Sequence, residues 1–528
     1  MLKNMGGKSK IENTFNLVDE PWIPIENKGY VSLRGIFKKP YPQALGGNPV
    51  QKTALLKLLL AICQSAYTPE DDEDWDAMGP DGLAKKVPPY LEELRDCFWL
   101  YGDKPFLQMP AIKKKILARK NAELTSGTKE AVAESNAQPK DIGPGYYPDL
   151  PSDNNTILTE GQISHKLSDA EKALFIVTLM NFAFGGKRVE KDLEPFTQGY
   201  SGKTVSAKSG PSIGNHWGYL HSFITGSDII NTLWLNMFTQ EYIEDSSMFK
   251  YKKKVLPPWE RMPLGEDCEQ ARKLRDSYMG RLVAMSRFVL LEGDGIYYAE
   301  GIQYLSHKNG WREPSMCVNE NTGKLLWVDP HKKPWREISS LLSFLSAKDD
   351  KFTCEQLAYT LKRIKNKKMN IGIWSGGVKV RANSGDQSIK QDDDFVQSET
   401  RIVSSYLEGG FLTLEQNINR LEKLSDYLYK IVSRYCNELN LNAASYAKSA
   451  KELFWQLCER KYQKLVDISL HDKDGDAESI GKYFIHCVYT AYDKSCPHKT
   501  ARQTQAWAHN YARVKNFYEK KENKAAVL

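Results

Sequence analysis

Beyond about residue 405 the apolar positions fall at helical intervals. Phe411, Leu414, Ile418, Leu421, Leu424, Leu428, Ile431 and Tyr435 recur every three or four residues, the spacing that gathers them on one face of a helix. Similar stripes run through 444–467, 479–493 and 500–518. Four amphipathic helices with short connections and no strand signal between them predict an antiparallel four-helix bundle over 405–528. The pattern before that is mixed. Asn48-Pro49 joins a capping side chain to proline at the first helical position, and Ala54, Leu55, Leu58, Leu59 and Ile62 follow at helical spacing, so a core helix is predicted there. Ser168-Asp169-Ala170-Glu171 is a capping-box pattern leading into a second apolar helix that ends at Gly185-Gly186. A further helix is expected over Pro89–Leu100, with the acidic run Glu70–Asp74 and Gly79-Pro80-Asp81-Gly82 as a loop before it. Phe15–Ile25 reads as a short strand broken by prolines, with Gly29–Leu33 as its hairpin partner. Arg281–Leu291 and Ile296–Leu305 read as strands around a Gly293-Asp294-Gly295 turn, and 110–166 as a long connection. The fold class is therefore α+β: a large mixed α/β N-terminal globular domain over 1–404, then the bundle.

Composition narrows the class without naming a function. With 41% hydrophobic and 26% charged residues the chain is an ordinary folded one, which excludes wholesale disorder and collagen-like repeats. The formal charge, 73 − 66 = +7, is too small for a uniformly basic coat but leaves room for local patches. Nine cysteines, with no C-x-x-C pair and an odd count, point to a reducing compartment. Neither a secretory leader nor a membrane-spanning stretch is visible, so a cytoplasmic protein with no membrane partner is expected.

The search for a reaction centre returns little. Cys487, Cys496 and His498, and the pair His216 and His221, lack the paired spacing of a zinc site. Gly202-Lys203-Thr204 resembles the end of a phosphate loop, but Thr197 stands where its first glycine is needed. Asp472–Asp476 has its glycine too early for a calcium loop. Asp392-Asp393-Asp394 cannot converge on one ion, because neighbouring side chains diverge, and it reads as a solvated loop. No catalytic residue, metal or cofactor is assigned. Basic runs are more suggestive: Lys362, Arg363, Lys365, Lys367 and Lys368; Lys252-Lys253-Lys254; and Lys113–Lys120. Three such runs favour a polyanion partner over plain solvated surface. Trp259, Trp311, Trp327 and Trp335 read as core rather than as base-stacking platforms.

Four short segments then carry a resemblance. Leu17-Val18-Asp19-Glu20-Pro21-Trp22-Ile23-Pro24, Lys104-Pro105-Phe106-Leu107-Gln108, Asn309-Gly310-Trp311-Arg312-Glu313-Pro314 and Gly385-Asp386-Gln387-Ser388-Ile389 resemble, in that order, segments of the CasA family, the large subunit of the type I-E CRISPR Cascade complex. The resemblance implies a non-catalytic subunit of an RNA-guided surveillance complex acting in antiviral defence. Its expected partners are other Cascade subunits, the 5′ handle of the guide crRNA, double-stranded target DNA and a helicase-nuclease. It would read the protospacer-adjacent motif and begin R-loop formation. Gln387 maps onto the family's glutamine wedge, flanked by Asp386 and Ser388; Asp386 stands where the compared family member has asparagine. The glycine loop maps onto Gly185-Gly186 with Lys187 and Arg188, or else onto Gly199–Gly202 with Lys203. Gly185-Gly186 reads equally as a plain helix cap. The minor-groove lysine maps onto Lys308, although an ungapped comparison puts Gln303 there, and the guide-handle loop onto Asn154–Lys166. A metal-dependent nuclease or hydrolase acting on nucleic acid is the alternative, and a helical adaptor the third reading.

Overall fold

The computed structural model describes residues 12–125, 139–142, 147–149, 166–184, 195–200, 218–305, 307, 310–346, 351–383, 386–389, 394–471 and 474–514. In chain order the strands are β1 (Thr14–Asn16), β2 (Ile23–Ile25), β3 (Gly29–Val31), β4 (Trp99–Tyr101), β5 (Lys140–Asp141), β6 (His221–Thr225) and β7 (Arg287–Glu292). They continue with β8 (Gly295–Glu300), β9 (Cys317–Asn319), β10 (Phe352–Cys354), β11 (Asn370–Val378), β12 (Arg381–Asn383), β13 (Asp386–Ser388) and β14 (Phe395–Val403). Among the described residues they make two three-stranded sheets, β5-β8-β7 and β14-β11-β6, and four two-stranded ribbons. All the pairings are antiparallel.

Helix Pro49–Ala66 runs through the middle of this region. The Asn48 side chain accepts from the amides of Val50 and Gln51, Gln51 reaches back to the Asn48 amide, and proline opens the first turn. Leu55, Leu58, Leu59 and Ile62 are fully buried, against helix Asp169–Phe182 and β11. Helix Asp169–Phe182 begins with the expected Ser168–Glu171 box but stops at Phe182, where Ala183 turns extended, short of the glycine pair. The acidic run is not a loop. Asp71 caps the amide of Asp74 and opens helix Asp72–Glu93, placing three carboxylates at its positive end. At Gly79, φ +59° and ψ 178°, the helical backbone breaks, and two helical segments meet there across a kink within this span. Its stop at Glu93 makes Trp99–Tyr101 a strand rather than the end of a helix. Arg281 likewise belongs to helix Tyr278–Leu282, and the strand begins at Arg287.

The opening motif is a clasp. Trp22 is fully buried and donates from Nε1 to the Leu17 carbonyl at 3.0 Å, while Asp19 pairs with Arg34 at 3.0 Å and Arg95 at 2.7 Å. Partial burial would raise the Asp19 carboxyl, but the hydrogen bonds from Arg95 and Arg34 outweigh it and hold it below the ordinary value of 3.8. A depressed carboxyl contributes stability above its unfolded pKa and loses it as pH falls through the folded one. Asp19→Asn is thus expected to destabilise the chain near neutral pH. In urea unfolding, its difference from the parent should shrink as pH falls below about 4; a difference independent of pH would contradict the assignment.

The C-terminal quarter is helical, as its stripes require. β14 ends at Val403 and helix Ser404–Glu438 starts at the next residue. Helices Ala443–His471, Asp474–Ser495 and Ala501–His509 follow. Direction alternates: Asn417 donates to Ser469 across the first pair, Tyr483 to the Leu457 carbonyl across the second, and Tyr492 to the Trp507 carbonyl across the third. The fourth helix is nine residues long, shorter than the 500–518 stripe suggests. The bundle packs on the sheet through Trp335, whose ring lies 4.3 Å from that of Tyr462, and through Arg336, 2.9 Å from Glu422. Among the described residues no helix is long and apolar enough to cross a membrane. All nine cysteines are free thiols.

Candidate nucleic-acid interface

β11 and β14 pair without interruption from Asn370↔Val403 to Val378↔Phe395. The ribbon goes on past the sheet: the Lys379 amide donates to the Asp394 carbonyl at 2.8 Å, and β12 then pairs with β13, Arg381↔Ser388, Ala382↔Gln387 and Asn383↔Asp386. Residues 384 and 385 join them. Gln387 therefore sits within strand β13, two residues past the connection, rather than in the turn itself. β12 and β13 form a short two-stranded finger beyond the sheet, separate from the β11–β14 ladder. Its foot is fastened by Asp394, 1% exposed and 3.2 Å from Arg381, and by the buried Ile389. Asp394 is thus an internal anchor, not part of a solvated acidic loop.

Gly185, Gly186, Lys187, Arg188, Gly202, Lys203 and Lys308 lie outside the described residues, as does nearly all of Asn154–Lys166. Three described neighbours of these segments, Phe182, Gly218 and His307, lie at the end of the β14-β11-β6 sheet from which the finger leaves. Phe182, three residues before Gly185, sets its ring edge-on to His221 of β6 at 5.5 Å. Phe184 gives its carbonyl to Arg287, which also pairs with Glu300. On the far side of that loop the buried Glu266 accepts from the amides of Phe196 and Thr197. Gly218, which ends the segment holding Lys203, has φ +82°, and a Cβ there would lie 2.9 Å from the Val378 carbonyl and 3.1 Å from the Val380 nitrogen. Only glycine lets the chain pass this close to the foot of the finger. His307, next to Lys308, shares a 2.8 Å hydrogen bond with Tyr219. Gln303 instead donates to Glu300 and to the Gly301 carbonyl.

The basic runs divide between buried and exposed cations. Arg363 is buried between the rings of Trp75 and Tyr359, at 4.0 and 4.3 Å, and donates to the carbonyls of Leu235 and Met237. Burial lowers its pKa to about 10. Lys367 pairs with Asp76, and Lys365 lies 3.9 Å from Glu408. Lys252 closes on the Glu244 and Ser246 carbonyls, Lys254 on Ser65, and Lys113 on Glu292. Arg363 is an internal fastening, whereas Lys362, Lys365, Lys368, Lys253, Lys254 and Lys114 stay exposed. Arg363→Ala is expected to destabilise the fold by about 1–3 kcal/mol, since it frees two carbonyls, while leaving the salt slope of DNA binding unchanged; a flattened slope would return this run to a phosphate contact.

Among the described residues no three His, Cys, Asp or Glu side chains are grouped to hold a metal ion. The aromatic reading holds for Trp259, Trp311 and Trp335, each buried, but not for Trp327, which is 40% exposed. Nothing in its local sequence distinguishes it, because its neighbours are equally apolar.

The family described as CRISPR-associated protein Cse1 matches residues 16–486. This chain belongs to the Cse1 family. A CasA/Cse1 protein of Thermus thermophilus is 27% identical over 353 residues, 62% of this chain and 60% of that relative, so the match spans less than two thirds of the relative's length. The solved structure of Thermus thermophilus CasA (Cse1) superposes with a TM-score of 0.64 at 19% identity, covering 94% of this chain and 98% of the other. A chain of a structure described as a CRISPR RNA-guided surveillance complex gives 0.63 at 13% identity, covering 94% and 99%. The likeness to these structures is one of fold: a mixed α/β region followed by a helical end.

Two of the motifs that signalled the Cse1 family are scaffolding in this chain. Gln108 donates to the Leu100 carbonyl and accepts from the Leu291 amide, tying β4 to β7. In the tryptophan-proline stretch, Trp311 lies under the buried guanidinium of Arg281 at 4.9 Å, and Glu313 forms a fully buried ion pair with Lys57 of helix Pro49–Ala66. Ser315, two residues on, meets His221 at 2.9 Å and gives its carbonyl to the Ser222 amide. The stretch holds the wall behind the finger.

Proposed function

We propose that this Cse1-family chain is the non-catalytic large subunit of a type I-E RNA-guided surveillance complex. In this reading it recognises the protospacer-adjacent motif in double-stranded DNA and begins strand separation, working in the cytoplasm beside the other Cascade subunits. The first 404 residues meet the DNA and the 5′ handle of the guide RNA. The bundle over 405–528 and its neighbours offer a surface to companion subunits and to the helicase-nuclease.

One observation supports the reading: Phe182, Gly218 and His307, which flank the glycine-loop and lysine candidates, lie where the β12–β13 finger leaves the sheet. A glycine-bearing loop lets backbone amides approach base edges, and a minor-groove reader tolerates several motifs because that groove presents a degenerate code. A lysine beside it adds charge. The wedge then has a modest task. It offsets the unstacking of one base step, a few kcal/mol, while RNA–DNA pairing nearly balances the DNA pairing lost. A photo-crosslinker at position 387 in the assembled complex tests this directly. Adducts are expected on the base pairs next to the motif, and adducts scattered along the duplex would overturn the assignment. The isolated chain with magnesium should leave DNA intact; cleavage would favour the nuclease alternative.

A further inference from the structure

We propose that Trp327 is a stacking platform for one unpaired base of the opened DNA. This rests on the DNA-opening reading above. Among the described residues Trp327 is the one exposed tryptophan, 40% open to solvent. Leaving an indole in water forgoes hydrophobic stabilisation, so its exposure needs a reason.

The ring is held rather than loose. The backbone around it is stitched into a ladder: Trp327 bridges Tyr219, the Leu220 amide donates to Leu326, the Val328 amide to Gly218, and the Leu326 amide to Cys317. Tyr219 lies 5.0 Å away at 42°, and His307 stands edge-on at 5.4 Å. The Tyr219–His307 hydrogen bond locks those two rings together. Such a preset aromatic loses little freedom when a flat partner arrives.

Its position selects the partner. Tyr219 follows Gly218, which abuts Val378 and Val380 at the foot of the finger, and His307 precedes Lys308. A preset, exposed aromatic face is a surface on which single-stranded nucleic acid stacks, and it works for any base because every base has a π-face. A base released by the wedge would find this surface within the same site.

The test uses the assembled complex carrying wild-type chain, Trp327→Ala or Trp327→Phe, on linear duplexes with a single abasic site stepped through the positions next to the motif on each strand. Stacking predicts that Trp327→Ala slows R-loop formation by between about fivefold and a hundredfold, with Trp327→Phe close to wild type. At one position an abasic site should slow the wild type by a similar factor and add nothing to Trp327→Ala. Equal abasic penalties in wild type and Trp327→Ala at every position, or Trp327→Ala at the wild-type rate, would overturn the platform while leaving DNA opening standing. Failure of the wild-type complex to open any duplex would overturn the reading beneath it.

Discussion

Glu313→Gln is expected to destabilise the folded chain by about 3–5 kcal/mol, the usual result of leaving one partner of a buried ion pair alone. Both side chains are only 2% exposed. Burial pushes the Glu313 carboxyl up and the Lys57 ammonium down, each opposed by the other's charge. The substitution keeps the shape of the side chain and removes the charge, so Lys57 would remain cationic in an apolar interior or have to shed its proton. The second Glu313 oxygen has no hydrogen-bond partner, so the pair is imperfectly satisfied. Replacing both ends together, as Lys57→Met with Glu313→Leu, should therefore cost far less than the single change. Urea unfolding of the two variants measures the difference. A double variant as unstable as the single one would show that packing, not charge, holds this point. The consequence reaches the site, because the same stretch carries Ser315 against His221 and Ser222 of β6.

Gln387→Ala should slow R-loop formation on linear duplex by tenfold or more, the equivalent of about 1.4 kcal/mol of a base-step unstacking cost of a few kcal/mol. Binding to a target whose first pairs are already open should change little. The reason is geometric. The β12–β13 finger leaves the end of the β11–β14 ladder and is fastened at its foot by the Asp394–Arg381 pair and by the buried Ile389, which keeps it at a fixed place on the sheet. Once the step is open, nothing remains for the side chain to hold apart. Equal losses on both substrates would mean that Gln387 contributes affinity rather than separation.

What could be read from the sequence was whatever depends on near neighbours. The caps at Asn48 and Ser168 and the three-and-four spacing from Phe411 to Tyr435 are local signals, and the helices they announce are present. The acidic run at 70–74 misled because carboxylates favour a helix start as readily as a loop, and the sequence lacks the tertiary contacts that decide. The wall behind the finger was hidden for the same reason. β6 finds β11 about 150 residues away, Ser222 opposite Ser375, and Lys57 finds Glu313 across 256 positions. Arg363, Lys367 and Lys254 look like free cations until Trp75, Asp76 and Ser65 come into view. Gln387 was singled out by its motif alone, and its setting, the β12–β13 finger, emerges only when the two strands are paired.

The most direct measurement compares the surveillance complex reconstituted with and without this chain, on a linear duplex target and on the same target with its first base pairs mismatched open. If this subunit opens the helix, omitting it should abolish R-loop formation on the closed duplex and largely spare it on the opened one. R-loops forming equally fast on closed duplex in its absence would contradict that role.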